Sequence, residues 1–137
     1  MLSQSVNLYK KLQKQYSRSI NLDLGRIKKV LLKLENPHLK LKNPINVIGS
    51  DGKMSVLTSL KYFIESEKKN LNAFTSPHLY DVRHRFWLKN KFISLNSITK
   101  LKKIIEKTNL KLTLFELLTC VFILAATKEK KISYNLI

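Results

Sequence analysis

The residues best suited to chemistry stand together in the run Val47-Ile48-Gly49-Ser50-Asp51-Gly52-Lys53-Met54-Ser55. Two glycines bracket a turn, and a lysine and a serine follow where a helix is expected to open. Unsatisfied N–H donors at a helix start, together with the helix dipole, attract anions. Lys53 adds a mobile positive charge for the outer phosphates of a nucleotide, and Ser55 a hydroxyl for a phosphate or Mg²⁺. The loop is shorter than the general P-loop, and its hydroxyl follows the lysine by two positions rather than one. An ordinary strand-turn-helix connection would carry the same glycines, so the loop alone leaves both readings open.

Three further stretches hold polar side chains at telling positions. In Thr75-Ser76-Pro77-His78-Leu79, Ser76 either caps a helix or offers a hydroxyl ligand, and His78 suits a loop-stabilising role. Thr113-Leu114-Phe115-Glu116 has the Thr-x-x-Glu spacing of a capping box, so its polar groups satisfy helix N–H donors whether or not a ligand is near. Asp23, or Asn21, is placed to cap a helix. The single cysteine, Cys120, lies in an apolar run and reads as a small buried hydrophobe. His38 and His84 read as solvated, and Phe86 and Trp87 as hairpin packing residues.

The elements that must position these groups follow from periodicity. Apolar residues at Val6, Leu8, Tyr9, Leu12 and Tyr16 predict a helix over residues 4 to 18, and Ile27, Val30, Leu31 and Leu34 a second that Asn36-Pro37 stops. A short connector, 38–43, leads to a strand at 45–48 and then to the glycine loop. The following helix is expected to bury Val56, Leu57, Leu60, Phe63 and Ile64. A strand at 71–75 follows, and strand-helix-strand in this order implies a parallel right-handed crossover. Alternation over 85–88 and 91–95 around Lys89-Asn90 predicts a hairpin, and Ser97 a cap for a helix burying Ile98, Leu101, Ile104 and Ile105. The apolar run 112–126 predicts a buried helix too short to span a bilayer, and 132–137 a final strand. The sum is an α/β fold with parallel strands, flanking helices and a small hairpin.

With 137 residues the chain has the size of one ordinary domain. Its 26 basic residues outnumber 9 acidic ones, a formal net charge of +17. Only four of the 26 are arginine, and the lysines are spread along the sequence, which reads as a solvated face that helps to draw in anionic nucleotides rather than as a nucleic-acid surface. No disulfide can form within the chain, and no apolar leader is visible at its start, so a cytoplasmic setting without membrane attachment is expected.

Taken in order, four of these pieces resemble the folylpolyglutamate synthase / dihydrofolate synthase branch of the Mur ligase superfamily. They are Asp23-Leu24-Gly25-Arg26; the loop at 49–55, against the family's G-T-N-G-K-G-S/T; Thr75-Ser76-Pro77-His78-Leu79, against T/S-S-P-H-L; and Thr113-Leu114-Phe115-Glu116, against T-x-F-E. The sequence departs from that pattern at Asp51, where the family has asparagine, and at Met54, where it has glycine. It also has His84 where a glutamate usually precedes the arginine matched by Arg85.

The resemblance implies a P-loop, Mur-ligase-type ATP-binding domain, with 1–43 as a helical lead-in and 44–137 as the α/β region. It implies an ATP-dependent amide ligase that joins glutamate to dihydropteroate or folate through an acyl phosphate. Lys53 would be the catalytic residue; Gly49, Ser50, Gly52, Lys53, Met54 and Ser55 would bind ATP; Ser55 and Ser76 would hold Mg²⁺. Asp23, Leu24, Gly25 and Arg26, with Thr113, Leu114, Phe115 and Glu116, would lie along the pterin substrate. Dihydropteroate or folate and glutamate are then the expected partners of a monomer. The family's remaining Mg²⁺ ligands and its carboxy-terminal domain would lie beyond residue 137, so the isolated chain is expected to be a truncated, inactive piece. The alternatives are a nucleotide-binding fragment without ligase chemistry and, last, a basic nucleic-acid binder.

Overall fold

A computed structural model describes residues 2–17, 23–78 and 80–137. The end of the first predicted helix at residue 18, together with Asn21 and Leu79, lies outside the described residues. Five helices are described, α1 (Leu2–Gln15), α2 (Gly25–Lys33), α3 (Lys53–Ser66), α4 (Leu95–Glu106) and α5 (Leu114–Ala126). The strands are β1 (Pro44–Ile45), β2 (Leu71–Phe74), β3 (Phe86–Leu88), β4 (Lys91–Phe92) and β5 (Tyr134–Leu136), in the sheet order β1-β5-β2-β3-β4.

The last strand therefore lies inside the sheet, parallel to β1 on one side and to β2 on the other. β1, α3 and β2 form a crossover between strands that run the same way with β5 inserted between them, as the sequence order implied. β3 and β4 add antiparallel, with Ala73 opposite Trp87 and Trp87 opposite Phe92. Lys89 and Asn90 both take positive φ, 46° and 63°, as a two-residue turn matched to strand twist requires.

Helices α4 and α5 supply most of the core. Helix α5 is apolar on nearly every side and buries Leu117, Leu118, Val121 and Phe122 against Leu12, Val30, Phe74, Phe86 and Ile98. Each such side chain contributes roughly 1.5–3 kcal/mol by leaving water. Cys120 is fully buried, and burial, helped by the nearby Glu116, pushes its thiol up to about 12. A smaller cluster, Leu57, Leu71, Ala73 and Leu136, joins α3 to the sheet.

Several expectations need correction. Strand β1 ends at Ile45, although the Val47 N–H still donates to the Ile137 carbonyl at 2.7 Å; Ile48 is 92% exposed. Only Leu57, Leu60 and Ile64 of α3 face the sheet, since the cluster beneath is narrow, and Val56 and Phe63 are exposed. The cap of α4 is Ser94, whose Oγ accepts from the Ser97 N–H at 3.1 Å, so Ser97 belongs to the first turn. Ile104 is exposed on the outer side of that helix. The connector at 38–43 is in part a 3₁₀ turn, Pro37–Lys40. His38 is half-buried rather than solvated, with a buried Nδ1 that meets no partner among the described residues.

Candidate functional site

The carboxyl ends of β1 and β2 face the same way, two strand spacings or about 10 Å apart, because β5 separates them. The loop 49–55 leaves from the first and the segment 75–85 from the second. Gly52 precedes α3 with φ of 73°, a conformation that costs a side-chain-bearing residue about 1 kcal/mol or more. No side chain caps α3, so the N–H groups of its first turn stay open to an anion. The Lys53 ammonium folds back onto the Gly49 carbonyl and, at 3.1 Å, the Ser50 carbonyl. Its charge is thus held over the loop, while Ser50, Asp51, Met54 and Ser55 are exposed.

The segment after β2 is tied down by an arginine. Arg85, buried in the short 3₁₀ turn Val82–Arg85, donates from Nε to His78 Nδ1 at 2.8 Å and from Nη1 to Ser76 Oγ at 2.9 Å. Ser76 is therefore an acceptor for a guanidinium and caps no helix. His78 stacks edge-on against Tyr9 of α1, with ring centroids 4.3 Å apart, as its loop-stabilising role requires. Burial and the adjacent Arg85 hold the His78 pKa below the ordinary histidine value, which keeps Nδ1 able to accept. Burial also lowers the pKa of Arg85, with Tyr9 opposing.

Periodicity gave no hint of one polar cluster here. Asp81, almost fully buried, accepts from Ser5 of α1, from the Arg83 backbone N–H at 2.9 Å and from Arg83 Nε at 2.9 Å. Burial raises its pKa, but the Arg83 and Ser5 bonds outweigh it and hold the carboxyl well below the usual range. The signal was present in Tyr80-Asp81-Val82-Arg83, where an aspartate opens a turn and meets an N–H two residues on.

Two of the matched segments meet directly. Arg26 on α2 pairs with Glu116 on α5, Nη2 to Oε1 at 3.3 Å, across 90 positions of sequence. The capping box forms as well: Thr113 Oγ1 accepts from the Glu116 N–H at 3.3 Å, and Glu116 Oε2 from the Thr113 N–H at 2.7 Å. Asp23 Oδ1 accepts from the Gly25 N–H at 2.9 Å, while the residue capping α2 is Leu24, which supplies no side-chain bond. Leu114 packs into the core, whereas Leu24 and Phe115 are more than half exposed. Phe115 lies 6.1 Å, ring to ring, from Phe74 at the end of β2, so this surface adjoins the Ser76 segment. The structure thus joins 23–26 to 113–116 through Arg26 and Glu116, sets Phe115 against Phe74 just before 75–78, and sends the 49–55 loop out from the same end of the sheet as 75–78.

The chemistry of the donors suits a nucleotide phosphate: open helix N–H groups, one ammonium and exposed hydroxyls. Among the described residues no group of three or more His, Cys, Asp or Glu side chains could hold a metal ion. The hydroxyls of Ser55 and Ser76 are hard oxygens of the kind that could ligate a cation carried in with a phosphate. No described helix is long and apolar enough to cross a membrane.

Comparison with known proteins gives two kinds of likeness. No family model matches the chain. A protein of Saccharomyces cerevisiae named dihydrofolate synthetase is 37% identical over 106 residues, which cover 74% of this chain and 25% of that protein. Among solved structures, Mycobacterium tuberculosis folylpolyglutamate synthase complexed with ADP superposes with a TM-score of 0.83 at 22% identity, covering 99% of this chain and 32% of its own. The bifunctional folylpolyglutamate synthase/dihydrofolate synthase of Yersinia pestis, complexed with AMPPNP and Mn ion, gives the same TM-score and identity over 96% of this chain and 32% of its own. The chain spans about a quarter of the yeast relative and about a third of the two structures.

Proposed function

The chain is related in sequence to folylpolyglutamate and dihydrofolate synthases and shares their Mur-ligase-type α/β fold, and from that premise we propose that it carries the nucleotide-phosphate and pterin-facing parts of an ATP-dependent amide ligase. The observation that supports this most is the uncapped start of α3, with Lys53 held over the loop at the carboxyl end of β1. Dihydropteroate or folate and glutamate are the substrates this reading assigns.

In the reaction, a carboxylate oxygen of the pterin substrate attacks the γ-phosphorus of ATP, giving an acyl phosphate and ADP. The glutamate amine then attacks the acyl carbon, phosphate leaves, and the amine gives up a proton as the amide forms. Little covalent work falls to the protein in the first step, which needs alignment and neutralisation of charge. The N–H groups from Gly52 onward would cradle the phosphates, and Lys53 would turn from the loop carbonyls to the outer phosphate. Mg²⁺ bound with the nucleotide, through the hydroxyls of Ser55 and Ser76, would neutralise further charge. Arg85 would hold the Ser76 hydroxyl in place. Phe115 and Leu24 would offer the apolar surface for a fused ring, and the Arg26–Glu116 pair would fix the two segments on which they stand.

Titrating dihydropteroate against the wild type and Phe115→Ala tests the substrate half of this reading. Affinity about tenfold lower in the variant is expected, and equal affinities would remove the segment from the site. Because the chain spans a quarter of its yeast relative, glutamate-dependent release of ADP by the 137 residues alone is expected to stay at background. Sustained turnover would overturn that division of labour.

A further inference from the structure

The lysines that look dispersed in sequence are gathered by the topology. The parallel strands β1, β5 and β2 all begin at one end of the sheet, opposite the 49–55 loop, and the segments leading into them are lysine-rich: Lys40 and Lys42, Lys130 and Lys131, Lys68 and Lys69. The β3–β4 turn, with Lys89 and Lys91, lies at the same end, tied there by the Asn90 side chain, which accepts from the Leu71 N–H at 3.0 Å and donates to the Lys69 carbonyl at 3.2 Å.

Two adjoining concavities open on this rim. The larger, about 450 Å³, has a floor of Leu88, Ile93, Leu101 and Ala125, with Lys91, Lys100 and Lys128 around its mouth and the half-exposed ring of Phe92 at its side. The smaller, about 230 Å³, lies between Lys40, Lys42, Lys130 and Lys131 over Leu41 and Ile132. Glu129 lines both and marks their junction. All seven of these lysines are exposed, and none forms an ion pair among the described residues.

We propose that this rim is a docking surface for an acidic segment of another polypeptide, one whose carboxylates meet the lysines while apolar side chains enter the two concavities. Three observations choose this occupant. A second copy of the chain is disfavoured by a net charge of +17 on each. A nucleic-acid backbone is better matched by arginine forks and stacked aromatic platforms, yet the lining cations are all lysine and Phe92 is the one exposed ring between them. Glu129 would repel a continuous phosphate chain crossing from one concavity to the other, whereas a polypeptide can place a backbone N–H or a hydroxyl there. The apolar floors supply what a merely electrostatic surface lacks, a reward for side chains between the charges.

Fluorescence-anisotropy titration at near-physiological salt tests the surface, with three labelled probes of equal length: a Glu-rich peptide with interspersed leucines, an all-Glu peptide, and oligodeoxythymidylate. The mixed peptide is expected to bind about tenfold more tightly than either of the others. The triple variant Lys91→Glu/Lys128→Glu/Lys130→Glu should weaken it by about tenfold or more, and the milder Lys→Gln triple by several-fold. Lys10→Glu/Lys14→Glu/Lys29→Glu, which changes net charge equally on α1 and α2, should shift it by less than about twofold. Absence of mixed-peptide binding, equal loss in the two charge-reversal triples, or preference for the all-Glu peptide or the oligonucleotide would each overturn the proposal.

Discussion

The two segments at the carboxyl ends of β1 and β2 are built on opposite plans. The described residues between 75 and 85 are anchored from several sides: Arg85 binds Ser76 and His78, Tyr9 covers His78, and Ser5 and Arg83 hold Asp81. Residues 49–55 are exposed except for Lys53, whose contacts are to the loop's own carbonyls. The exposed loop thus keeps the N–H groups at the start of α3 uncapped and holds Lys53 only by its own carbonyls, whereas its neighbour is fixed by side chains from α1 and from its own turn. The comparison predicts that substitutions in the first segment cost stability and those in the second cost binding.

The largest effect is expected at Asp81. Asp81→Ala removes the buried acceptor that Ser5 and Arg83 share and should lower unfolding free energy by about 3 kcal/mol in urea denaturation. Asp51→Ala, the same change on the exposed loop, should stay within about 0.5 kcal/mol. Equal losses at the two positions would dissolve the contrast.

Gly52→Ala comes next. A Cβ there meets nothing within 4 Å, so the expected cost of about 1 kcal/mol is conformational, from φ of 73°. A loss several times larger would mean that the loop is packed after all.

The smallest effect is a dependence on pH. The folded pKa of His78 is lowered, so the unfolded chain binds more protons near neutrality. The His78 contribution is then present above the unfolded value of about 6.5 and is lost as pH falls from there through the folded pKa. His78→Gln keeps an acceptor for Arg85 without a titrating ring, and should flatten the fall in stability as pH drops below about 6.5 relative to wild type. An unchanged slope would assign the dependence elsewhere.

Local rules carried the sequence reading as far as local causes reach. The Thr113–Glu116 box, the Lys89-Asn90 turn and the burial of the 112–126 run are decided within a few residues, and each formed as expected. Ser97 and Ser94 stand three positions apart with the same capping chemistry, and the start of the helix, not the residue type, decides that Ser94 accepts. Val56 and Phe63 satisfy a helical period, but how wide a stripe is buried depends on the small cluster below α3. Arg85 and Asp81 were beyond reach because what makes their burial tolerable comes partly from α1, more than 70 positions away. Arg26 and Glu116 could be named from resemblance, but only the fold shows that they touch.

The central claim is that the 49–55 loop binds nucleotide phosphates through Lys53 and the start of α3. Calorimetric titration of ATP with Mg²⁺ into the wild type and Lys53→Ala, alongside urea denaturation of both, tests it most directly. The expected result is affinity at least about tenfold lower in Lys53→Ala with stability unchanged within about 0.5 kcal/mol, because the lysine's own contacts are exposed. Equal ATP affinity in the two proteins would contradict it.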